Sequence, residues 1–287
     1  MDDIGISKSI LSITSPGTHL VPGNMAMARD LTRNCNLFAS NLKKVYPTRF
    51  GFWASLPLPD IQGSLAEILT ALDDLNADGF VLHTNHQGVY LGDSTFEPIF
   101  SLLNERRATV FIHPTGPCIA ASPGSRCVAA TPLPKYPSPM LEYYFETARC
   151  VADLLISGTV FRNPKITFLI LHCGGALPPM IERVAVISTA WLGQPLSTET
   201  VRELFKKQFF FDLAGFPFPD QIHGMLRLVD STRFLYGSDF PFTPGDYVQH
   251  LAAVLDTELT SIFDEEDIKD IHMRNAERLL QRPSQIQ

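Results

Sequence analysis

Three short segments of this 287-residue chain carry residue types that move protons and hold metals: Phe111-Ile112-His113-Pro114, Leu171-His172-Cys173-Gly174-Gly175 and Tyr236-Gly237-Ser238-Asp239-Phe240-Pro241-Phe242. Each follows an apolar run of strand length, so each sets a His or an Asp at the carboxyl end of a strand, where α/β barrels gather their chemistry. His113 reads as a metal ligand or as a satisfied core residue. His172 precedes a Gly pair that lets backbone approach a ligand, and is a general acid/base or an incidental member of a glycine-rich turn. Asp239 is costly to bury unless it meets a cation or a base, and its competing reading is a helix N-cap ahead of Pro241. Two His and one Asp at three strand ends are more specific together than singly, and outline a metal-assisted active site.

Weaker candidates surround them. His83 and His86 are three apart, and a continued strand would turn them to opposite faces, which argues against a joint metal site. His83 is then expected near the pocket and His86 at the surface. His19, after Ser15-Pro16-Gly17, is expected to line the mouth, and Asp212 to support the site or merely anchor a loop. Phe216, Phe218, Phe240 and Phe242 form either an apolar slot for a flat aromatic ring or ordinary core. No Gly-X-Gly-X-X-Gly, Walker A or Gly-X-Ser-X-Gly segment occurs, so dinucleotide, nucleotide-phosphate and α/β-hydrolase readings lose their main support.

The elements that must position these residues alternate. Strands are expected at 9–14, 50–56, 79–84, 109–113, 166–172, 209–213 and 233–237. The first helix starts near Asn24 and buries a stripe of Met27, Leu31, Cys35, Phe38, Leu42 and Val45. Asp60 N-caps a second, bearing Leu65, Ile68, Leu72 and Leu75. Further helices are expected at 96–107, 140–156, 179–191 and 221–228, and after the strand at 233–237 helices close the chain to about 281. Seven apolar strands separated by helices mean a parallel sheet covered on both faces, and a TIM-like (β/α)8 barrel one strand short. The Pro-, Ser- and Gly-rich stretch 115–139 is a lid, a subunit contact or a mobile insertion.

With 45% hydrophobic residues and a net charge of -7, the chain can bury a full core. It shows no basic footprint for nucleic acid or membrane, and a small-molecule substrate is the default. No apolar run approaches a bilayer span. The start lacks signal-peptide character, so a cytosolic protein is expected. Five cysteines without CxxC spacing are expected as reduced thiols.

Together the three segments resemble the amidohydrolase-related branch that contains aminocarboxymuconate semialdehyde decarboxylase and the non-oxidative hydroxybenzoate decarboxylases. The resemblance extends to Arg49-Phe50-Gly51-Phe52-Trp53-Ala54-Ser55-Leu56-Pro57-Leu58-Pro59 and Tyr90-Leu91-Gly92-Asp93. Ser12-Ile13-Thr14-Ser15-Pro16-Gly17-Thr18-His19 and Asp212-Leu213-Ala214-Gly215-Phe216-Pro217-Phe218-Pro219 are most similar to the fungal 6-methylsalicylate decarboxylases.

The resemblance implies a distorted (β/α)8 barrel with one divalent metal ion, zinc or manganese. It makes His113 and Asp239 metal ligands, His172 and Asp239 catalytic, and Phe242 substrate-lining; His19 and His83 join Phe242 as expected substrate contacts. The family's remaining ligands sit on a first strand as His-X-His or Glu-X-His. Residues 1–5 align with the end of the first barrel helix, so 1–287 is expected to be a single barrel domain that lacks that strand. The implied activity is a carboxy-lyase acting on an ortho-hydroxybenzoate such as 6-methylsalicylate, giving m-cresol in polyketide secondary metabolism. A metal-dependent hydrolase and a catalytically incomplete relative are the alternatives. A homodimer binding a small aromatic carboxylic acid is expected, with no nucleic-acid or membrane partner.

Overall fold

Continuous apolar runs become strands buried on both faces, and polar side chains start several of the helices between them. The computed structural model describes residues 1–120, 127–193 and 195–281. The chain gathers into two compact units, Met1–Thr167 and Phe168–Pro283.

The first unit runs β1 Ser9–Leu11, α1 Met25–Val45, β2 Phe50–Ser55, α2 Ile61–Asp73 and β3 Gly79–His83. A small antiparallel hairpin follows, β4 Asn85–His86 with β5 Val89–Tyr90, then α3 Glu97–Glu105 and β6 Thr109–His113. A second hairpin, β7 Cys118–Ala120 with β8 Cys127–Ala129, leads to α4 Ser138–Ile156 and α5 Thr159–Arg162. β1, β2, β3 and β6 pair in that order, all parallel. Every residue of β3 and β6 is buried, as a parallel sheet covered on both faces requires. As expected, Asp60 caps α2, accepting from Gly63 N–H at 3.0 Å, and Asn24 caps α1, accepting from Met27 N–H at 3.1 Å.

The second unit holds β9 Thr167–Ile170 from Phe168 onward, α6 Ile181–Leu192, α7 Thr198–Gln208, β10 Phe209–Asp212 and α8 Gln221–Met225. It closes with β11 Phe234–Leu235, α9 Gly245–Ile262, α10 Glu265–Lys269 and α11 Asn275–Leu280. β9, β10 and β11 are parallel neighbours. Their core is aromatic: Phe168 stacks on Phe209 at 5.0 Å between centroids, and Phe205 meets Phe209 at 4.8 Å and Phe211 at 5.3 Å. Offset and edge-on pairs of this kind add to plain area burial.

Two expectations are corrected here. The buried stripe of α1 is Ala28, Thr32 and Asn36, while Phe38 is 69% exposed and Met27 and Val45 are exposed as well. Hydrogen bonding outranks apolarity on this helix. Asn36 accepts from Ser55 N–H at 2.8 Å and donates to Ser55 C=O at 3.0 Å and to Glu67 at 2.8 Å, so its amide completes the edge of β2. The apolar residues Cys35 and Phe38 instead line a groove of about 400 Å³ with Leu11, Ile13 and Trp53. The second correction concerns the thiols: Cys118 and Cys127 form a disulfide across the β7–β8 hairpin, while Cys35, Cys150 and Cys173 are free. An odd cysteine count never excluded one local pair. The part of the 115–139 stretch at 121–126 lies outside the described residues.

Because Asn36 satisfies three buried polar groups at once, Asn36→Ala is expected to cost about 2–4 kcal/mol, read as a lower urea midpoint with an unchanged slope.

Candidate active site

In the first unit the site grows from two strand ends. Parallel pairing sets His83 opposite His113, and their rings meet edge to face with centroids 5.8 Å apart. Both side chains are buried. His113 donates from Nδ1 to the Pro114 carbonyl at 2.6 Å, and its Nε2 accepts from the Thr14 hydroxyl at 3.2 Å. A carbonyl oxygen only accepts, so a ring proton sits on Nδ1, and in the neutral ring the lone pair falls on Nε2. The His83 ring lies near the Thr14 backbone, and its Nε2 is buried with no partner. Burial, and then the neighbouring His113, push the His83 pKa down to about 3, which keeps the ring neutral. Gly17 permits the packing: its φ is +79°, and a Cβ there would lie 2.8 Å from His83 Cε1.

His86 departs from expectation. β3 ends at His83, the chain turns at Thr84 and resumes as β4, so alternation along one strand does not apply. The His86 ring stands 5.9 Å from that of His83, with its Nε2 buried and unpartnered. Burial, with His83 and His19 nearby, holds its pKa well below the usual range. His19 makes the opposite tautomer: Gln87 Nε2 donates to its Nδ1 at 2.7 Å, leaving the proton on a buried, unpartnered Nε2. Burial lowers its pKa as well.

Glu146, on α4, frames both strand ends and is fully buried. It accepts from Tyr90 Oη at 2.7 and 2.9 Å, from Asn85 Nδ2 at 3.0 Å and from the Thr84 hydroxyl at 3.5 Å, and it pairs with Arg149. Asn85 also donates to Gly116 C=O at 3.3 Å, and the Thr84 hydroxyl accepts from Thr115 N–H at 3.1 Å. One carboxylate therefore holds the loops after β3 and β6. An acid on the apolar stripe of the helix expected at 140–156 was the available signal for it.

In the second unit, β9 gives way to a tight turn at His172–Gly174, where His172 and Cys173 take left-handed backbone, φ +53° and +50°. Such residues cost of order 1–3 kcal/mol and persist only where their surroundings hold them. Gln221 Nε2 does so, donating to the carbonyls of His172 at 2.6 Å, Cys173 at 3.2 Å and Gly175 at 2.9 Å. Asp212 Oδ1 accepts from His172 N–H at 2.9 Å and Ala214 N–H at 3.1 Å. Asp212 thus supports the site through the His172 backbone. Asp239 is also left-handed, φ +53°, and its Oδ2 lies 3.8 Å from His172 Nε2. That is too long for a hydrogen bond and close enough for direct electrostatic coupling. Asp239 caps no helix, since α9 starts after Pro244.

The phenylalanines are not core: Phe216, Phe240 and Phe242 are exposed. Phe216 and Phe218 line a cavity of about 160 Å³ with Tyr236, Gly237 and Ser238. Among the described residues no group of three His, Cys, Asp or Glu side chains is arranged to hold a metal. A complete donor set for the cation that the resemblance implies is therefore not assembled there, although an imidazole such as that of His113 is a donor of the right chemistry. No helix among the described residues is long and apolar enough to cross a membrane.

A family model for amidohydrolases matches residues 23–282, and the chain belongs to that family. It is 36% identical to a protein named decarboxylase yanB of Aspergillus niger, over 98% of this chain and 77% of that one. It is 34% identical to 6-methylsalicylic acid decarboxylase acuB of Aspergillus aculeatus, over 91% of this chain and 78% of that one. A solved amidohydrolase II structure superposes with a TM-score of 0.86 at 30% identity, covering 98% of this chain and 86% of the other. The expected amidohydrolase-type α/β fold is thereby borne out.

Burial raises the Asp212 carboxyl to about 6, partly offset by His172 and the two backbone donors. A raised acid pKa means the native state binds more protons than the unfolded chain between about pH 4 and 6, so stability falls as pH rises through that window. Asp212→Asn removes this loss. Its stability relative to the unsubstituted protein is expected to improve by about 3 kcal/mol from pH 4 to pH 7; parallel pH profiles in urea unfolding would contradict the assignment.

Proposed function

We propose that this protein is a carboxy-lyase that removes carbon dioxide from an ortho-hydroxybenzoate, with 6-methylsalicylate as substrate and m-cresol as product. The observation that carries the reading is the His172–Asp239 pair, held at 3.8 Å by two strained backbone turns. The fungal relatives supply the substrate class.

The chemical problem is to protonate the ring carbon that bears the carboxylate. Asp239 delivers that proton; the C–C bond to the carboxylate then breaks, its electron pair restores the aromatic ring, and carbon dioxide leaves. His172 tunes Asp239 electrostatically and returns its proton between turnovers. Asp212 and Gln221 position His172 by fixing its backbone. His19 offers an Nε2–H to an anionic oxygen, His83 contributes its buried, unpartnered Nε2, and Phe242 lies against the ring.

By match to the family pattern, His113 and Asp239 are the donors for one divalent ion, zinc or manganese, which when bound would orient the acid and stabilise charge. The same reading takes residues 1–287 as one barrel domain, a cytosolic homodimer and a role in polyketide metabolism.

The test is carbon dioxide release from 6-methylsalicylate. His172→Ala, Asp239→Asn and His113→Ala are each expected to lose at least about 100-fold, while exposed His223→Ala is silent. Retained activity in Asp239→Asn would overturn the assignment.

A further inference from the structure

We propose that the cavity between the loops after β10 and β11 and helix α9 is a second ligand site, one that admits a single-ring phenol and rejects the corresponding acid. The sequence marks Phe216 and Phe218 as walls of an aromatic slot, and the function proposed above uses neither. Both line this cavity of about 160 Å³, together with the buried Leu213, Val248 and Leu255. An apolar cavity of about 150 Å³ holds one benzene ring, so the volume fits one six-membered ring with small substituents. Neither His172 nor Asp239 is among the lining residues. Gly237 and Ser238 are, and they lead directly into the left-handed turn at Asp239. The cavity therefore adjoins the catalytic pair without containing it.

The polar groups of the lining decide what the ring carries. Tyr236, Ser238 and His250 bring hydroxyl and imidazole groups, which both give and take hydrogen bonds, as a phenol does. No Lys or Arg lines the cavity. A carboxylate leaving water there would meet no fixed positive charge, with the acid Asp239 one residue beyond Ser238, and its lost solvation would go uncompensated. A neutral phenol leaves far less solvation behind. The site thus separates the two sides of a decarboxylation by charge, taking the product and refusing the substrate. That m-cresol is the phenol it meets rests on the function proposed above; the phenol class itself does not.

The test uses the full chain with methyl-labelled side chains and m-cresol as the probe. Ring protons of m-cresol are expected to show intermolecular NOEs to the methyl groups of Val248, Leu251 and Leu255, an observation that needs no variant to fold. Ala252→Phe, at a half-buried position of the lining, fills the space and is expected to weaken m-cresol binding by about tenfold or more. Toluene lacks the hydroxyl and 3-methylbenzoate carries a carboxylate in its place, and each is expected to bind about fivefold more weakly or worse. Absence of NOEs to those methyl groups, m-cresol affinity unchanged in a folded Ala252→Phe, or toluene or 3-methylbenzoate held in the cavity as tightly as m-cresol would overturn the proposal. The NOEs without carbon dioxide release from 6-methylsalicylate keep the site and remove the decarboxylase reading; release without the NOEs does the reverse.

Discussion

The parallel register between β3 and β6 is the constraint on which the first unit depends. Pairing His83 with His113 forces two imidazoles side by side in a buried place, where charging either would repel the other and forfeit solvation. Much of the surrounding structure holds them in place. Thr14 lies just past the end of β1, near the His83 ring, and its hydroxyl meets the His113 ring at 3.2 Å. Gly17 contributes by having no side chain, and the buried Glu146 network fixes the two loops that follow the strands. A network of this sort is worth its burial only when nearly every member is satisfied, and the nitrogens left over are where a ligand is to be sought.

The second unit solves a similar problem with backbone. His172 and Asp239 both sit in left-handed conformations that ordinary side chains avoid, which turns their side chains toward each other. The strain is carried by Gln221, which gathers three carbonyls, and by Asp212, whose burial raises its pKa while two N–H groups hold it in place. Positioning costs stability here, in keeping with strained residues gathering at functional sites.

Much of this was legible in the sequence because strand ends are marked twice, by the close of an apolar run and by the Pro or Gly after it. The span of β6 at 109–113 and the place of His113 follow from those marks alone. What periodicity could not show was anything set by partners distant in sequence. The face α1 buries is chosen by Asn36 reaching Ser55, against the apolar stripe. His86 joins His83 because the chain turns at Thr84, which no alternation rule anticipates. Cys118 and Cys127 meet only because β7 and β8 pair antiparallel. Gln221 and Glu146 are ordinary helix residues until the turns they hold are known.

The central claim is that a proton is placed on the ring carbon as the carboxylate departs, and the most direct measurement is turnover of 6-methylsalicylate in deuterium oxide. The expected product is m-cresol with a single deuterium at the carbon that carried the carboxylate. A product without deuterium at that carbon, or conversion with no loss of carbon dioxide, would contradict it.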